Sequence, residues 1–195
     1  MNIGAGFDTL MFELSHEYPT LTFIELDHPH TAVQKQQALG AGAPVNLHLH
    51  PVDLSQTSPG DVLQTMPAFD ATAQTCFICE GVLMYLSRKD VERMFVALSH
   101  VTSGRMQFVF TATPSVESPN TNATWLLRRY LRHVGEPLLW TIETSEIKPF
   151  LAMQDYVLRQ IVDGHDLQRK YLSHMVKGPF HRGEFVVACA PSGQV

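Results

Sequence analysis

Short apolar runs alternate with amphipathic, helix-like stretches along almost the whole of this 195-residue chain. Parallel strands need a crossover between them, usually a helix, so this alternation predicts a mostly parallel sheet with helices on its faces. The pattern places strands at residues 2–3, 21–26, 45–52, 75–79, 106–111, 156–162 and 184–190, and helices at residues 8–14, 31–39, 88–101 and 143–152. We therefore predict one α/β domain spanning residues 1–195.

The composition excludes several classes of protein. The 14 Lys and Arg residues against 19 Asp and Glu residues form no long basic run, which argues against a nucleic-acid partner. No apolar stretch reaches the roughly 20 residues of a membrane span, so we expect no membrane partner and a cytoplasmic protein. Cys76, Cys79 and Cys189 all lie in apolar strand-like runs, which predicts reduced thiols in the core.

The segment Gly4-Ala5-Gly6 stands where the first strand passes into the first helix. Glycines there allow a tight turn and a close approach of the backbone to a ligand, although paired glycines also end ordinary strands. Asp27 ends the next strand about 20 residues later, where an acidic side chain can accept hydrogen bonds from a ribose. Thr9 replaces the third glycine of the dinucleotide fingerprint, which favours a cofactor without pyrophosphate over a nicotinamide dinucleotide.

Six strings occur in a characteristic order: NIGAGFDTL, FIELDHP, VDL, CEGVLMYL, GEP and GEFVVA. In this order and spacing the chain resembles the leucine carboxyl methyltransferase family and its bacterial O-methyltransferase relatives. The resemblance implies a Rossmann-like class I methyltransferase fold, a three-layer sandwich whose mostly parallel sheet has an antiparallel last strand. It also implies that the first strand, of two residues, is truncated relative to the family.

The resemblance further implies a binding site for the cofactor S-adenosyl-L-methionine. The residues that it assigns to this site are Gly4, Ala5, Gly6, Asp27, Asp53, Leu54 and Glu80. The loop that contains Gly4, Ala5 and Gly6 would contact the methionine part of the cofactor, and Asp27 would hold the ribose. Asp53 and Leu54 would flank the adenine, and Glu80 would face the amino group.

The activity that the resemblance implies is methyl transfer to an oxygen atom, on a carboxylate or hydroxyl of a small molecule or of a protein C-terminus. A carboxylate is ionised at neutral pH and needs no general base, so positioning and exclusion of water would carry the catalysis. Residues 114–140 interrupt the strand–helix alternation and are interpreted as a substrate cover. Tyr85 is either a substrate contact or simple packing.

The alternative is a non-catalytic domain of the same fold, because the family has a longer first strand and a helical segment upstream of it. From the short first strand we expect a fragment or a shortened relative, with the apolar faces of Phe23, Phe77 and Phe108 partly uncovered. Surfaces of that kind promote association, so the hypothesis is a homo-oligomer or a chain of low stability.

No metal site is predicted, although two pairs of histidines are possible metal ligands. His48 and His50 share one face of a strand and His28 and His30 lie close together in a loop, but no third ligand has suitable spacing. The CxxC formed by the first two cysteines lies within a strand, where residues three apart point to opposite faces. The cluster of Arg128, Arg129, Arg132 and His133 is interpreted as a solvated helix face, or less simply as an attraction for acidic substrates.

Overall fold

Seven strands form one mixed sheet in the computed structural model, which describes residues 1–115, 117–118, 121, 125–133, 135, 137–172 and 183–193. The strands are β1 (Asn2–Ile3), β2 (Phe23–Asp27), β3 (Leu47–Pro51), β4 (Thr75–Cys79), β5 (Met106–Ala112), β6 (Tyr156–Asp163) and β7 (Phe185–Pro191). The helices are α1 (Leu10–Glu17), α2 (Pro29–Leu39), α3 (Pro59–Thr65), α4 (Arg88–Val101), α5 (Trp125–His133), α6 (Thr144–Met153) and α7 (Gly164–Leu167).

The strand order is β3-β2-β1-β4-β5-β7-β6, with β1 to β5 parallel and β7 antiparallel to both of its neighbours. This confirms the predicted α/β architecture and its antiparallel last strand. The chain builds outward from β1 to β3 and then returns to place β4 on the other side of β1. At such a reversal the crossovers diverge and leave a crevice outside the carboxyl ends of the strands.

The main core lies between the sheet and α3, α4 and α6, and Phe95 of α4 is at its centre. This ring is fully buried and meets the rings of Phe108, Phe110, Phe150 and Tyr156 edge-on, at centroid distances of 5.0 to 5.5 Å. Edge-to-face pairs of this kind add stability beyond the burial of apolar area. Through Phe95, helix α4 is therefore fixed against the sheet and against α6.

The opposite face of the sheet carries a smaller core, which is formed where α1 and α2 cover β2 and β3. Met11, Phe23 and Leu47 are its buried members. The expectation that Phe23, Phe77 and Phe108 would be partly uncovered is wrong, since they are 7%, 0% and 0% exposed. The two residues on β4 and β5 point toward α4, so the helices on that face cover them whatever the length of β1.

The exposed positions of β4 and β5 lie on the α1 side of the sheet, because side chains alternate along a strand. Cys76 and Gln107 face each other there, and both are exposed. Cys76 is therefore not a core thiol, in contrast to the sequence-based prediction, whereas Cys79 and Cys189 are buried as predicted.

Several element boundaries differ from the prediction, by one to three residues, and the beginnings of the first helix and the third strand are two of them. The first helix begins at Leu10 rather than at residue 8, because the carboxylate of Asp8 accepts a hydrogen bond of 2.7 Å from the Leu10 amide before the helix starts. The third strand begins at Leu47 rather than at residue 45, and Val45 is 96% exposed.

The interpreted substrate cover, residues 114–140, is described only in part. Its helix α5 has three exposed large side chains, Trp125, Leu126 and Tyr130, and Arg129 and His133 are exposed as well. Pro119, Asn120 and Glu136, and the side chains of Leu127, Arg128 and Arg132, lie outside the described residues. None of the helices in the described ranges combines the length and hydropathy of a membrane span.

We predict that Phe95→Ala lowers the free energy of unfolding by about 3–5 kcal/mol, because it removes a fully buried ring and leaves a cavity among four aromatic neighbours. Val96→Ala is the matched control, since the next residue is 59% exposed and should change stability by about 0.5 kcal/mol or less. Urea unfolding measures both. Equal losses in the two variants would contradict the central position of Phe95.

Candidate functional site

The glycine loop, residues 4–9, joins β1 to α1. Its first residue continues the hydrogen-bond pairing of β1 with β2. The amide of Gly4 donates to the carbonyl of Leu26 at 2.7 Å, and the amide of Asp8 donates back to Ala5 at 3.0 Å to close the turn. Gly4 and Gly6 have φ angles of +73° and +51°, in the left-handed region that only glycine adopts at low cost. The sequence GAGFD therefore dictates this turn.

The two glycines have different surroundings. A Cβ atom on Gly4 would lie 2.1 Å from Cγ2 of Val82, in the loop that follows β4, so a side chain does not fit there. A Cβ atom on Gly6 would meet none of the described residues within 4 Å, apart from its neighbours in the chain. Gly4 thus packs the glycine loop against the β4 loop, and Gly6 leaves open space above the strand ends.

Asp27, the last residue of β2, links its strand to the glycine loop. Its half-buried carboxylate accepts a hydrogen bond from the Gly6 amide through Oδ2 and one of 2.5 Å from the His28 amide through Oδ1. Each carboxylate oxygen can accept more than one hydrogen bond, so capacity remains for a polar ligand.

Asp53 lies on the neighbouring strand end, just past β3. The amide of Val52 donates to the carbonyl of Asp27 at 2.6 Å, which brings this turn beside the end of β2. The Asp53 carboxylate accepts from the hydroxyl and the amide of Ser55 at 2.6 and 2.9 Å. These hydrogen bonds hold the pKa of Asp53 below its usual value, so this side chain is ionised at neutral pH.

Glu80 follows β4 on the other side of β1, and its side chain is exposed. The next residue, Gly81, has a φ of +67° and donates its amide to the hydroxyl of Thr111 on β5 at 2.8 Å. Tyr85 ends the short 3-10 turn Leu83–Tyr85 beyond it and is 37% exposed. The turn after β4 is therefore anchored to β5, and it presents Glu80 at the carboxyl ends of the strands.

The structure brings all seven predicted binding residues to the carboxyl ends of four adjacent strands. Along the order β3-β2-β1-β4 they present Asp53 with Leu54, then Asp27, then the glycine loop, then Glu80. Strands lie about 4.8 Å apart, so the row is roughly 14 Å long. This row can bind an elongated ligand with polar groups along its length.

Several residues near the row were not singled out from the sequence. Lys35 of α2 and Glu25 of β2 form a buried ion pair of 2.6 Å below the glycine loop. Burial raises the pKa of Glu25, and the adjacent Lys35 ammonium opposes that effect. A glutamate inside the apolar run of β2 was the available signal, because a buried carboxylate needs a partner. Phe7, within the glycine loop, is 64% exposed.

Glu143 anchors the beginning of the interpreted substrate cover to α6. Its carboxylate accepts from the Ser115 amide at 3.0 Å and from the Ser118 hydroxyl at 3.2 Å, and it also caps α6. Near the other end of the cover, Leu139 donates its amide to the carbonyl of Met84 at 2.7 Å. Both ends of the segment are therefore fixed beside the strand ends.

Within the described ranges, no group of three or more histidine, cysteine, aspartate or glutamate side chains could hold a metal ion. His48 and His50 are half-buried, and the side chain of His28 caps α2 by accepting from the His30 amide at 3.3 Å. Cys79 is buried, which raises the pKa of its thiol, whereas Cys76 on the other face is exposed.

One cavity of about 650 Å³ lies beside the Leu54 end of the row, between α3 and the exposed side of α4. Its other lining residues belong to these two helices and to the turn before α3, and Gln154 after α6 completes it. We assign the site to the strand ends because the polar groups converge there.

Two sequence comparisons find relatives. The profile of the family described as leucine carboxyl methyltransferase matches residues 1–99, which is half of the chain. A protein of Parafrankia sp. (strain EAN1pec), Franean1_4929, is 27% identical over 104 residues, which make up 52% of this chain and 33% of that protein. Its name assigns it as an S-adenosyl-L-methionine-dependent methyltransferase. The chain therefore spans about a third of the length of this curated relative.

Solved structures with the same fold have low sequence identity. Mitomycin 7-O-methyltransferase MmcR has a TM-score of 0.62 at 18% identity, over 97% of this chain and 48% of that one. LepI in complex with SAM has a TM-score of 0.60 at 12% identity, over 97% and 42%. Magnesium protoporphyrin IX methyltransferase ChlM from Synechocystis PCC 6803, with bound SAH, has a TM-score of 0.56 at 14% identity, over 98% and 72%. These likenesses show the predicted Rossmann-like methyltransferase fold.

We predict that Gly4→Ala destabilises the chain by about 1–3 kcal/mol more than Gly6→Ala does. Both substitutions place a side chain at positive φ, but only the first overlaps Val82, and forced overlap in a packed region costs that amount. Urea unfolding measures the difference. Combining Gly4→Ala with Val82→Ala should recover part of it, because the overlapping methyl group is then absent. Equal stability of the two single variants would contradict the packing role of Gly4.

Proposed function

Because the chain belongs to the leucine carboxyl methyltransferase family, we propose that it binds S-adenosyl-L-methionine and transfers the cofactor's methyl group to an oxygen atom. The acceptor would be a carboxylate or hydroxyl of a small molecule or of a peptide C-terminus. The chain covers only part of its relatives, so the proposal rests on its own geometry together with its family.

The order of the polar groups along the strand ends is the observation that carries the proposal. S-adenosyl-L-methionine is a linear arrangement of adenine, ribose, sulfonium and amino acid. The row presents Asp53 and Leu54, then Asp27, then the glycine loop, then Glu80 in the same sequence. Carboxylates suit the ribose hydroxyls and the positively charged amino group, and half-buried Leu54 suits a flat aromatic base.

The glycine loop fits the cofactor because of the open space at Gly6. Apart from the chain neighbours of Gly6, no atom of the described residues lies within 4 Å of the position that a Cβ would take there, so a ligand can approach the backbone closely. Asp27 would accept hydrogen bonds from the ribose hydroxyls while keeping its bonds to the Gly6 and His28 amides. Its carboxylate would then fix the ribose and the loop relative to each other.

The bound cofactor supplies a methyl group on a positively charged sulfur atom. With the cofactor held by Asp27, the glycine loop and Glu80, an acceptor oxygen would bond to that methyl carbon as the carbon–sulfur bond breaks, and the electron pair of the broken bond would stay on the sulfur. A carboxylate acceptor has no proton to lose, whereas a hydroxyl must give one up. The protein's task is then orientation and exclusion of water, for which the cover held by Glu143 and Met84 is suitably placed.

Calorimetry with S-adenosylhomocysteine tests the cofactor assignment. Binding in the micromolar range supports the proposal. Absence of binding would favour a domain that keeps the fold without the activity, and binding of NADH instead would identify a nicotinamide enzyme.

The type of acceptor can be tested with cofactor carrying a radiolabelled methyl group, small carboxylic acids and C-terminal peptides. A methyl ester releases methanol on mild alkaline treatment, whereas a methyl ether does not. Alkali-labile label in the product supports a carboxylate acceptor, and alkali-stable label supports a hydroxyl.

We predict that Asp27→Ala weakens S-adenosylhomocysteine binding at least about a hundredfold, because hydrogen bonds to a charged acceptor contribute roughly 1.5–3 kcal/mol each and two are lost. Calorimetry gives the affinity, and circular dichroism at the same temperature checks that the variant is folded. Unchanged affinity in a folded variant would remove the ribose assignment.

We predict that Asp53→Ala and Asp70→Ala have similar effects on stability but different effects on binding. Both carboxylates bond the amide and the hydroxyl of the residue two positions later, Ser55 or Thr72, at 2.6 to 2.9 Å. Only Asp53 lies in the row, so only its loss should weaken S-adenosylhomocysteine binding, by about tenfold. Equal affinity of the two variants in calorimetry would argue against a role for Asp53.

A further inference from the structure

Asp8 closes the glycine loop, and its polar groups are tied to three different elements. Its carboxylate accepts from the Asn2 side chain of β1 at 3.0 Å and from the Leu10 amide at the start of α1 at 2.7 Å. Its carbonyl oxygen accepts from the ammonium of Lys35 on α2 at 2.5 Å. The far end of the loop is therefore held from below by a side chain that is distant in the sequence.

Lys35 is itself held by Glu25 of β2, through the ion pair of 2.6 Å. The two residues are 6% and 2% exposed, and within the described residues neither carboxylate oxygen of Glu25 has a hydrogen-bond partner, so the ion pair with Lys35 is the contact that compensates its charge. Glu25 and Asp27 lie on the same face of β2, because they are two residues apart. One strand thus holds the loop twice, at Gly6 through Asp27 and at Asp8 through Lys35.

A buried ion pair is an inefficient way to stabilise a fold. Removing two charges from water costs several kcal/mol per ion, and a hydrophobic pair of similar volume often stabilises as well or better. What the pair can supply is geometry, since the ammonium contacts two fixed groups at once, the Asp8 carbonyl through a hydrogen bond and the Glu25 carboxylate through the ion pair. The backbone that it holds is the segment proposed to contact the cofactor.

We propose that Lys35 is a positioning residue for cofactor binding. Through the carbonyl of Asp8 it holds the glycine loop in the conformation that leaves the space at Gly6 open, and Glu25 fixes its ammonium for that purpose. This inference rests on the proposed function, because it assigns a role to Lys35 within the same site.

The test compares Lys35→Met with the double variant Lys35→Met/Glu25→Gln. Methionine keeps most of the volume and loses the ammonium, and the second substitution removes the buried charge that the first leaves unpaired. Lys148→Met, an exposed lysine on α6, is the control. Each protein is titrated with S-adenosylhomocysteine in the calorimeter well below its melting temperature, which is measured separately without ligand.

The expected result is that the double variant regains much of the melting temperature that the single variant loses, while its dissociation constant stays about tenfold higher than that of the unchanged chain. Recovery of affinity together with stability would overturn the proposal and leave Lys35 a structural residue. Failure of both variants to fold would have the same meaning. If the unchanged chain does not bind S-adenosylhomocysteine, the proposed function itself fails, which is a distinguishable outcome.

Discussion

The contact between Gly4 and Val82 is the constraint on which the rest of the site depends. No side chain fits at Gly4, so the loop after β1 lies directly against the loop after β4, although three crossovers separate them in the chain. The position of Glu80 relative to Gly6 follows from this contact, and the hydrogen bond from Gly81 to Thr111 extends it to β5. The crevice at the reversal of strand order is thus defined by the backbone of Gly4 and the branched side chain of Val82, which has little rotamer freedom.

Most of the fold could be predicted because the local patterns are strong. The helix Arg88–Val101 has the predicted bounds, since four apolar residues at helical spacing follow Ser87, a residue type that favours the cap position. Which residues on each face of the sheet are buried by helices could not be predicted. Alternation along β4 places Phe77 and Cys76 on opposite faces, but only the positions of α1 and α4 in space decide which of them is exposed.

The predicted binding residues lie close together because each follows an apolar run, and the carboxyl ends of parallel strands lie on the same side of the sheet. Whether they bind the cofactor stays a prediction. Lys35 was not predicted, because it lies among glutamines in the segment VQKQQ, which is typical of a solvated helix face. The signal that would have found it was Glu25, a carboxylate in the middle of a buried strand. Local sequence shows that this carboxylate needs a partner without showing which residue provides it.

The placement of β7 between β5 and β6 has a consequence for how the chain is made. In the described sheet, β6 pairs only with β7, and β7 reaches β5 on its other side. Until residues 185–191 have left the ribosome, β6 has no neighbour to pair with and β5 has a free edge. Strands β1 to β5 can pair with one another during synthesis, whereas β6 has to wait for β7. A nascent chain of this fold therefore exposes two unpaired edges late in translation, the stage at which chaperones protect such edges from aggregation.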